Sequence, residues 1–218
     1  DALLHVMHLT TAVEMGLFSP AHRSEKRITA EVCVHHLWFD ESRYDELGSD
    51  IKCNPAIKSA RDREALITAL NDGRIDIIAT DHAPHTIEEK AASYFKAPAG
   101  LPLVQHALLV LFDLMADDQI PIELIVERAC HAPADLFGVV DRGYVREGWF
   151  ADLVLVDPGK PYLVSRDNVL AKCGWSPFEG HEFSSSIDTT IINGTVVYES
   201  GKLTGAIPGK RLDFTRSR

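Results

Sequence analysis

The sequence predicts an α/β fold with two parts, residues 1–142, in which strands and helices alternate, and residues 143–218, which are rich in strands. Three observations lead to this prediction. Short β-type runs alternate with helical segments in the first part of the chain, as in parallel α/β proteins. Helical spacing dominates the middle, and β-branched runs dominate the end. We place the boundary near Arg142, where the pattern changes.

The first elements are strands that lead into polar residues. The runs ALLHVMHL, RITAEVCVHHLWF and RIDIIAT are β-type, and DREALITALNDG before the last of them is helical. Polar candidates lie at or just past the predicted strand ends: His8, His36, Asn54 and Asp81. Because the carboxyl ends of parallel strands in a barrel meet at one face, we expect these side chains to share a site.

The next third of the chain is predicted to be helical. In GLPLVQHALLVLFDLM, apolar residues recur at helical spacing: Leu103, Ala107, Val110, Leu111 and Leu114. Pro121 and Pro133 are placed to begin two further helices, and Gly138 is placed to end the second. These helices are predicted to serve packing.

From residue 143 onward the pattern predicts strands. WFADLVLVD is a β-type run, and TTIINGTVVYESGK has Asn193-Gly194 between two β-branched runs. This dipeptide is typical of a type I′ hairpin turn.

Composition limits the function. Lys and Arg number 22 against 32 Asp and Glu, a net charge of −10, which argues against nucleic acid or an anionic membrane as partner. The most apolar run is interrupted by Gln105, His106 and Asp113 and does not predict a membrane span. Four cysteines without a CxxC pair indicate neither a zinc ribbon nor a disulfide framework. We therefore expect a cytoplasmic protein that acts on a small molecule.

Several motifs carry a family resemblance. LLHVMHLTT, AEVCVHHL, KCNPAIKS, TDHAPH and APAGL, followed by GWFADLVLVD, resemble in order and spacing the second half of dihydroorotases of the amidohydrolase superfamily. The resemblance covers essentially the whole chain. It implies that residues 1–142 are the carboxyl-terminal part of a (β/α)8 TIM barrel of the metal-dependent hydrolase type and that residues 143–218 are a small β-sandwich-like domain with the tail. The implied reaction is the reversible conversion of N-carbamoyl-L-aspartate into L-dihydroorotate, in pyrimidine biosynthesis.

The resemblance also implies roles for individual residues. His8 matches a metal-binding histidine, and Asp81 matches a metal-binding aspartate that is also the catalytic proton acceptor. The implied cofactor is Zn²⁺, as one or two ions per full-length subunit. Substrate-binding positions follow from the same match: Asn54, His85, Ala99 and Gly100.

The chemistry of these residue types fits the implied reaction. A ring amide is a poor electrophile, so its hydrolysis benefits from Zn²⁺, which polarises the carbonyl and lowers the pKa of bound water from ~16 toward ~7. Imidazole and carboxylate groups are suitable zinc ligands. A carboxylate such as Asp81 can take a proton from the water and return it to the departing ring nitrogen.

Each assignment has a structural alternative. A histidine after an apolar strand, such as His8, is often a hydrogen-bonded structural residue, and Asp81 is also placed to cap a turn before Pro84. We interpret His35 and His36 as structural. The remaining structural interpretations concern lysines on a solvated surface, Lys52 and Lys58, and cysteines as small buried hydrophobes, Cys53, Cys130 and Cys173.

One feature departs from the family pattern. Dihydroorotases have an HxHxR motif on the first barrel strand, and this motif does not occur here. We expect the natural protein to extend by about 200 residues at its amino end, since a closed barrel alone takes ~250 residues. Two other interpretations stay open, a hydantoinase-like or allantoinase-like enzyme and a non-catalytic scaffold. The sequence also leaves open whether the protein is a homo-oligomer.

Overall fold

The computed structural model describes residues 2–215 and contains a parallel sheet of three strands in the order β1-β2-β3. The strands are Leu4–Val6, Ile28–Cys33 and Ile77–Ala79. Leu4 pairs with Ile28 at the amino end of β2, and Ala79 pairs with Cys33 at its carboxyl end. Since all three strands run in one direction, their carboxyl ends open onto the same edge.

The α-helices lie between and after these strands. Their bounds are Val34–Trp38 (α1), Tyr44–Leu47 (α2), Ala60–Asn71 (α3), Ile87–Lys90 (α4), Ala107–Ala116 (α5), Ile122–Val126 (α6) and Ala132–Phe137 (α7). Ser59 and Asp62 form a reciprocal capping box that begins α3. None of the helices in residues 2–215 has the length and hydropathy of a membrane span.

One detail of the helix prediction is wrong. Leu103 lies before α5, which begins at Ala107, although its carbonyl accepts from the N–H of Ala107 at 3.0 Å. Pro133 lies in the first turn of α7, as predicted, and a π-helical segment, Glu127–His131, joins α6 to α7. The predictions for Pro121 and Gly138 are confirmed, since Pro121 caps α6 and Gly138 ends α7 in the left-handed conformation.

The end of the chain forms strands, as the sequence predicts. An antiparallel sheet is formed by Leu153–Asp157 (β4), Ser186–Ile192 (β7), Thr195–Glu199 (β8) and Lys202–Leu203 (β9). Tyr162–Leu163 (β5) pairs with Glu182–Phe183 (β6). Asn193 and Gly194 both have positive φ, 49° and 78°, between paired strands, which confirms the type I′ hairpin.

The α/β prediction is confirmed, but a sandwich-like pairing of two sheets is not confirmed in the described residues. A continuous apolar core surrounds β2 and includes Val32, Leu66 and Val110. Phe178 and Phe183, from the region after residue 143, belong to the same core. The domain boundary near Arg142 stays a prediction.

A buried ion pair aligns β3 with β2. Lys26 Nζ lies 2.8 Å from Asp76 Oδ1, and both side chains are almost fully buried. The other oxygen of Asp76 accepts from the N–H of Ala30 at 3.0 Å, and the N–H of Asp76 donates to the carbonyl of Ala30 at 2.9 Å. Asp76 therefore determines where β3 starts beside β2, and with it the position of Asp81.

Candidate functional site

The site predicted from the sequence lies along the carboxyl edge of the parallel sheet. His8 comes two residues after β1 ends, Asp81 comes two residues after β3 ends, and Cys33 is the last residue of the strand between them. The backbone N–H of Leu9 still donates to the carbonyl of Glu31 at 2.9 Å, so the chain stays beside β2 as it passes His8. Strand order therefore places His8 and Asp81 on either side of Cys33.

His8 and Asp81 share an unusual backbone conformation. Their φ angles are +40° and +46°, in the left-handed region that residues other than glycine seldom adopt. Such conformations cost of order 1–3 kcal/mol and cluster at functional sites. Both side chains reach the surface at least in part, and neither makes a side-chain hydrogen bond within residues 2–215.

The charges of His8 and Asp81 act on buried side chains at the end of β2. Burial, with smaller contributions from Lys58 and His8, lowers the pKa of His36 to about 4. Burial, and then the charges of Glu31 and Asp81, raises the pKa of the Cys33 thiol. The structure thus brings His8 and Asp81 to the same group of buried side chains, although no hydrogen bond joins them among the described residues.

The loop after His8 is fixed by two carboxylates. One oxygen of Glu14 accepts from the N–H of Thr10 at 3.1 Å and from the N–H and hydroxyl of Thr11 at 2.8 and 2.7 Å. Burial alone would raise the pKa of Glu14, but the hydrogen bonds from Thr11 and Thr10 outweigh it, so the pKa is lowered. Asp62 accepts from the N–H of Ala12 at 2.8 Å, which ties the loop to the start of α3.

Asn54 is exposed and does not follow a strand, so that part of the sequence interpretation is wrong. It lies in the loop between the 3₁₀ turn Gly48–Ile51 and α3, because the chain after β2 turns into helices. His36 Nε2 donates to the carbonyl of Pro55 at 2.9 Å. This bond holds the Asn54 corner against the carboxyl end of β2.

The other three predicted substrate-binding residues contact one another. His85 Nε2 donates to the carbonyl of Ala99 at 3.1 Å. A Cβ at Gly100 would lie 2.4 Å from the carbonyl oxygen of Ala83 and 3.1 Å from the ring of His85, so this close approach requires glycine. The Nε2–H of His85 is thus used within the protein, and Nδ1 lies 3.5 Å from a carboxylate oxygen of Glu89.

The sequence interpretation missed Lys90, which connects these loops. Lys90 is 3% exposed, and its ammonium group donates to the carbonyls of Lys52, Pro98 and Gly100 at 3.3, 3.2 and 3.0 Å. Burial lowers its pKa. Within the charged run IEEK it resembles a solvated surface lysine, so the local sequence carries no signal for this role.

Trp175 is a second residue that sequence reasoning missed. Its indole N–H donates to the carbonyl of His85 at 2.8 Å, and its ring lies 5.7 Å from the ammonium of Lys90. A residue of the carboxyl-terminal region therefore stabilises the loop that carries His85.

Interpretations of the lysines and cysteines need correction. Lys52 is not simply solvated, because its ammonium donates to the carbonyls of Tyr94 and Ala97, both at 2.6 Å. Lys58 is half-buried and donates to the carbonyl of Ala56 at 2.7 Å. Cys53 is buried as expected, but Cys130 is exposed and Cys173 is partly exposed, because both lie outside the packed core.

An apolar cavity of about 440 Å³ lies beside this site but does not coincide with it. It runs between α5 and the antiparallel sheet, with His82 and Trp175 at its border. None of the six predicted site residues lines it. The predicted metal-binding residues His8 and Asp81 lie instead at the carboxyl edge of the parallel sheet.

Comparison with known proteins gives relatives over nearly the whole chain. The profile of the Amidohydrolase family matches residues 2–197. A dihydroorotase of Halobacterium salinarum is 37% identical over 97% of this chain, which spans 48% of that protein. A dihydroorotase of Clostridium acetobutylicum is 34% identical over 91% of this chain, which spans 47% of that protein. The chain thus spans about half the length of these relatives.

Solved structures are similar to a comparable extent. The L-hydantoinase (dihydropyrimidinase) from Arthrobacter aurescens superposes with a TM-score of 0.84 at 26% identity, covering 92% of this chain and 46% of that one. The dihydropyrimidinase from Brevibacillus agri has a TM-score of 0.83 at 22% identity and covers 94% of this chain and 46% of that one. The second likeness shows the fold alone.

Proposed function

Because this chain belongs to the amidohydrolase family, we propose that the protein containing it is a zinc-dependent dihydroorotase that interconverts N-carbamoyl-L-aspartate and L-dihydroorotate in pyrimidine biosynthesis. The observation that carries this proposal is the 37% identity to a dihydroorotase over 97% of the chain. The placement of His8 and Asp81 at one sheet edge supports it.

We assign residues 1–142 to the last strands and helices of a (β/α)8 barrel. The parallel order β1-β2-β3, with helices between the strands, supports this assignment. Residues 143–218 would form the accompanying small β domain. The strands that close the barrel and the HxHxR motif belong, in this proposal, to another part of the protein.

The residues present fit a metal ion. His8 and Asp81 offer an imidazole and a carboxylate, both held in strained left-handed conformations and both without a side-chain partner in the part of the chain that the structure describes. This donor set suits Zn²⁺. When bound, the metal would polarise the substrate carbonyl and acidify a water molecule.

Asp81 has the proton-transfer role. Its carboxylate accepts the proton of the attacking water, and the carboxylic acid then returns it to the ring nitrogen as the carbon–nitrogen bond breaks. In the reverse direction, the same carboxylate takes the proton from the ureido nitrogen as the ring closes. Its partial exposure at the sheet edge gives substrate access to it.

Asn54, His85, Ala99 and Gly100 hold the substrate. Asn54 is exposed at a loop corner that His36 fixes through the Pro55 carbonyl, so its amide is available to an anionic ligand. The close approach of Gly100 to Ala83 brings the backbone of this loop next to the segment that follows Asp81. Lys90 is a positioning residue for both loops through the carbonyls of Lys52 and Gly100.

A hydantoinase-like activity is the second candidate, because the L-hydantoinase from Arthrobacter aurescens has a TM-score of 0.84. A non-catalytic scaffold is the third. Both cyclic amides need a metal and a proton acceptor, so the substrate must separate the two enzymes. We propose a cytoplasmic enzyme acting on a small molecule, with homo-oligomerisation open to measurement.

The test compares two variants in the full-length natural polypeptide that contains this segment. Asp81→Asn keeps the size of the side chain but cannot accept a proton, so kcat should fall by about 10²–10⁴-fold. His85→Ala should act mainly on KM, because it removes the contact that positions the Ala99 and Gly100 loop. Steady-state kinetics with dihydroorotate, N-carbamoyl-aspartate and hydantoin, together with zinc content, measure both.

Three outcomes would contradict the proposal. Near wild-type kcat of Asp81→Asn with full zinc content would show that Asp81 has a structural role. Faster turnover of hydantoin than of dihydroorotate would favour the second candidate. No turnover of either compound by a folded, zinc-loaded protein would favour a scaffold.

A further inference from the structure

A second group of potential metal ligands lies at the end of β2. The ligand atoms of Cys33, His35 and His36 are all within 4.8 Å of one another. All three residues are buried, with exposed fractions of 0%, 1% and 4%. His8 and Asp81 are outside this group, and the sequence analysis interpreted His35 and His36 as structural.

The two histidines have nitrogen atoms without partners. Neither Nδ1 nor Nε2 of His35 has a hydrogen-bond partner in residues 2–215, and neither has Nδ1 of His36. A buried polar atom left without a partner costs roughly 1–3 kcal/mol. A ligand that binds these nitrogens would therefore stabilise the group.

The hydrogen bond of His36 leaves its Nδ1 free. Because Nε2 donates to the carbonyl of Pro55 at 2.9 Å, the proton of the neutral ring is on Nε2 and the lone pair is on Nδ1. Metal-binding histidines commonly donate their other ring N–H to a backbone carbonyl in this way. His36 is thus in the tautomer that metal binding through Nδ1 requires.

We propose that Cys33, His35 and His36 form a site for a soft divalent cation such as Zn²⁺, separate from the ligand pair His8 and Asp81. Thiolate and imidazole groups are preferred zinc ligands, and three protein ligands leave the fourth position open to another donor.

The ligand atoms need to move only a short distance. With Zn–N about 2.0 Å and Zn–S about 2.3 Å, donor atoms in a tetrahedral site are about 3.5 Å apart. Donors that now lie within 4.8 Å of one another must approach by about 1 Å. His35 loses no hydrogen bond in that movement, since its ring has none in the described residues.

Zinc binds the thiolate form of cysteine, so binding at this site would release one proton from the Cys33 thiol.

Cobalt is the probe that separates this site from the catalytic one. Co²⁺ bound to a thiolate gives a charge-transfer absorption in the near ultraviolet, whereas Co²⁺ on imidazole and carboxylate ligands does not. We expect the band in the full-length, cobalt-loaded polypeptide and in Asp81→Asn. Cys33→Ser should lose the band and about one equivalent of cobalt.

Cys53→Ser is the matched control. Cys53 is also a buried thiol, and its sulfur lies 3.8 Å from His36 Nε2, but it is outside the three-ligand group. It should keep the band. Persistence of the band in Cys33→Ser, its loss in Cys53→Ser or its absence from the parent protein would overturn the proposal.

X-ray absorption of the zinc-loaded parent protein gives a test that needs no variant, in case Cys33→Ser does not fold. A sulfur scatterer at about 2.3 Å is expected, with an average below one per zinc because the zinc at His8 and Asp81 has no sulfur ligand. A shell of nitrogen and oxygen alone would overturn the assignment. Neither experiment depends on dihydroorotase activity, so this proposal and the proposed function can fail separately.

Discussion

Lys90→Met tests whether a buried ammonium group holds the substrate-binding loops. Methionine has a similar length and keeps the apolar contacts of the side chain, so the substitution removes mainly the charge and its three hydrogen bonds. The carbonyl of Lys52 still accepts from the N–H of Gly100 at 2.9 Å. The carbonyls of Pro98 and Gly100 lose the donor that the structure gives them.

The magnitude follows from those two carbonyls. A buried acceptor left without a donor costs about 1–3 kcal/mol. Pro98 is half-buried, so water can replace part of its bond, whereas Gly100 is buried. The variant also avoids the cost of burying an ammonium group, which offsets part of the loss. We expect the free energy of unfolding to fall by about 2–3 kcal/mol.

The kinetic effect should fall on KM. Asn54 and Gly100 are on the loops that Lys90 joins, and Asp81 is not among its contacts. A loss of 1.4 kcal/mol in substrate binding corresponds to about a tenfold change. We expect KM to rise by at least about tenfold, with a smaller change in kcat and unchanged zinc content.

Urea denaturation and steady-state kinetics of the full-length protein measure both effects. Lys96→Met is the control for charge removal, because Lys96 is exposed. Leu66→Ala, in the core of α3, is the control for destabilisation alone and should cost about 2–5 kcal/mol. If Leu66→Ala raises KM as much as Lys90→Met does, or if Lys90→Met leaves both KM and stability unchanged, the reasoning is refuted.

Two further predictions concern Gly100 and His106. Gly100→Ala should reduce the free energy of unfolding, measured in urea, more than Gly174→Ala does. Both glycines have positive φ, but only at Gly100 would a Cβ meet a carbonyl oxygen, at 2.4 Å. Equal losses would mean that the close approach at Gly100 is unimportant. Burial lowers the pKa of His106 to about 4, so as pH falls below the unfolded value of about 6.5 the unfolded chain binds the proton first. The contribution of His106 to the free energy of unfolding should therefore be complete above pH ~6.5 and fall by about 3 kcal/mol towards pH ~4. In urea titrations at several pH values, His106→Phe should remove this part of the pH dependence. An unchanged pH dependence would contradict the prediction.

Local patterns determined most of the secondary structure. Strand-like runs ending near His8, Cys33 and Asp81 were visible because side-chain direction repeats every two residues in a strand. The Asn193-Gly194 turn was visible because few residues tolerate two successive positive φ angles. The π-helical segment Glu127–His131 was not visible in the sequence, since nothing in that run distinguishes it from a regular helix.

The residue types of the candidate site were also visible in the sequence, from motifs at strand ends. The contacts that these residues make were not visible in the sequence. Lys90 bonds to a carbonyl 38 residues earlier, and Trp175 bonds to one 90 residues earlier, so no spacing rule connects either pair. His85 was predicted as a substrate donor, and only the structure shows that its Nε2–H is given to Ala99.

The sequence by itself determined which chemical groups stand at the carboxyl ends of the strands, because strand period and turn chemistry depend on neighbouring residues. Only the tertiary structure decided which of those groups are buried and which lack partners. Cys33, His35 and His36 look like an ordinary strand end in the sequence, yet folding removes them from water and leaves three ring nitrogens unpaired among the described residues. Burial and pairing depend on segments far apart in the chain, and their energies are set by distance and solvent exclusion in three dimensions.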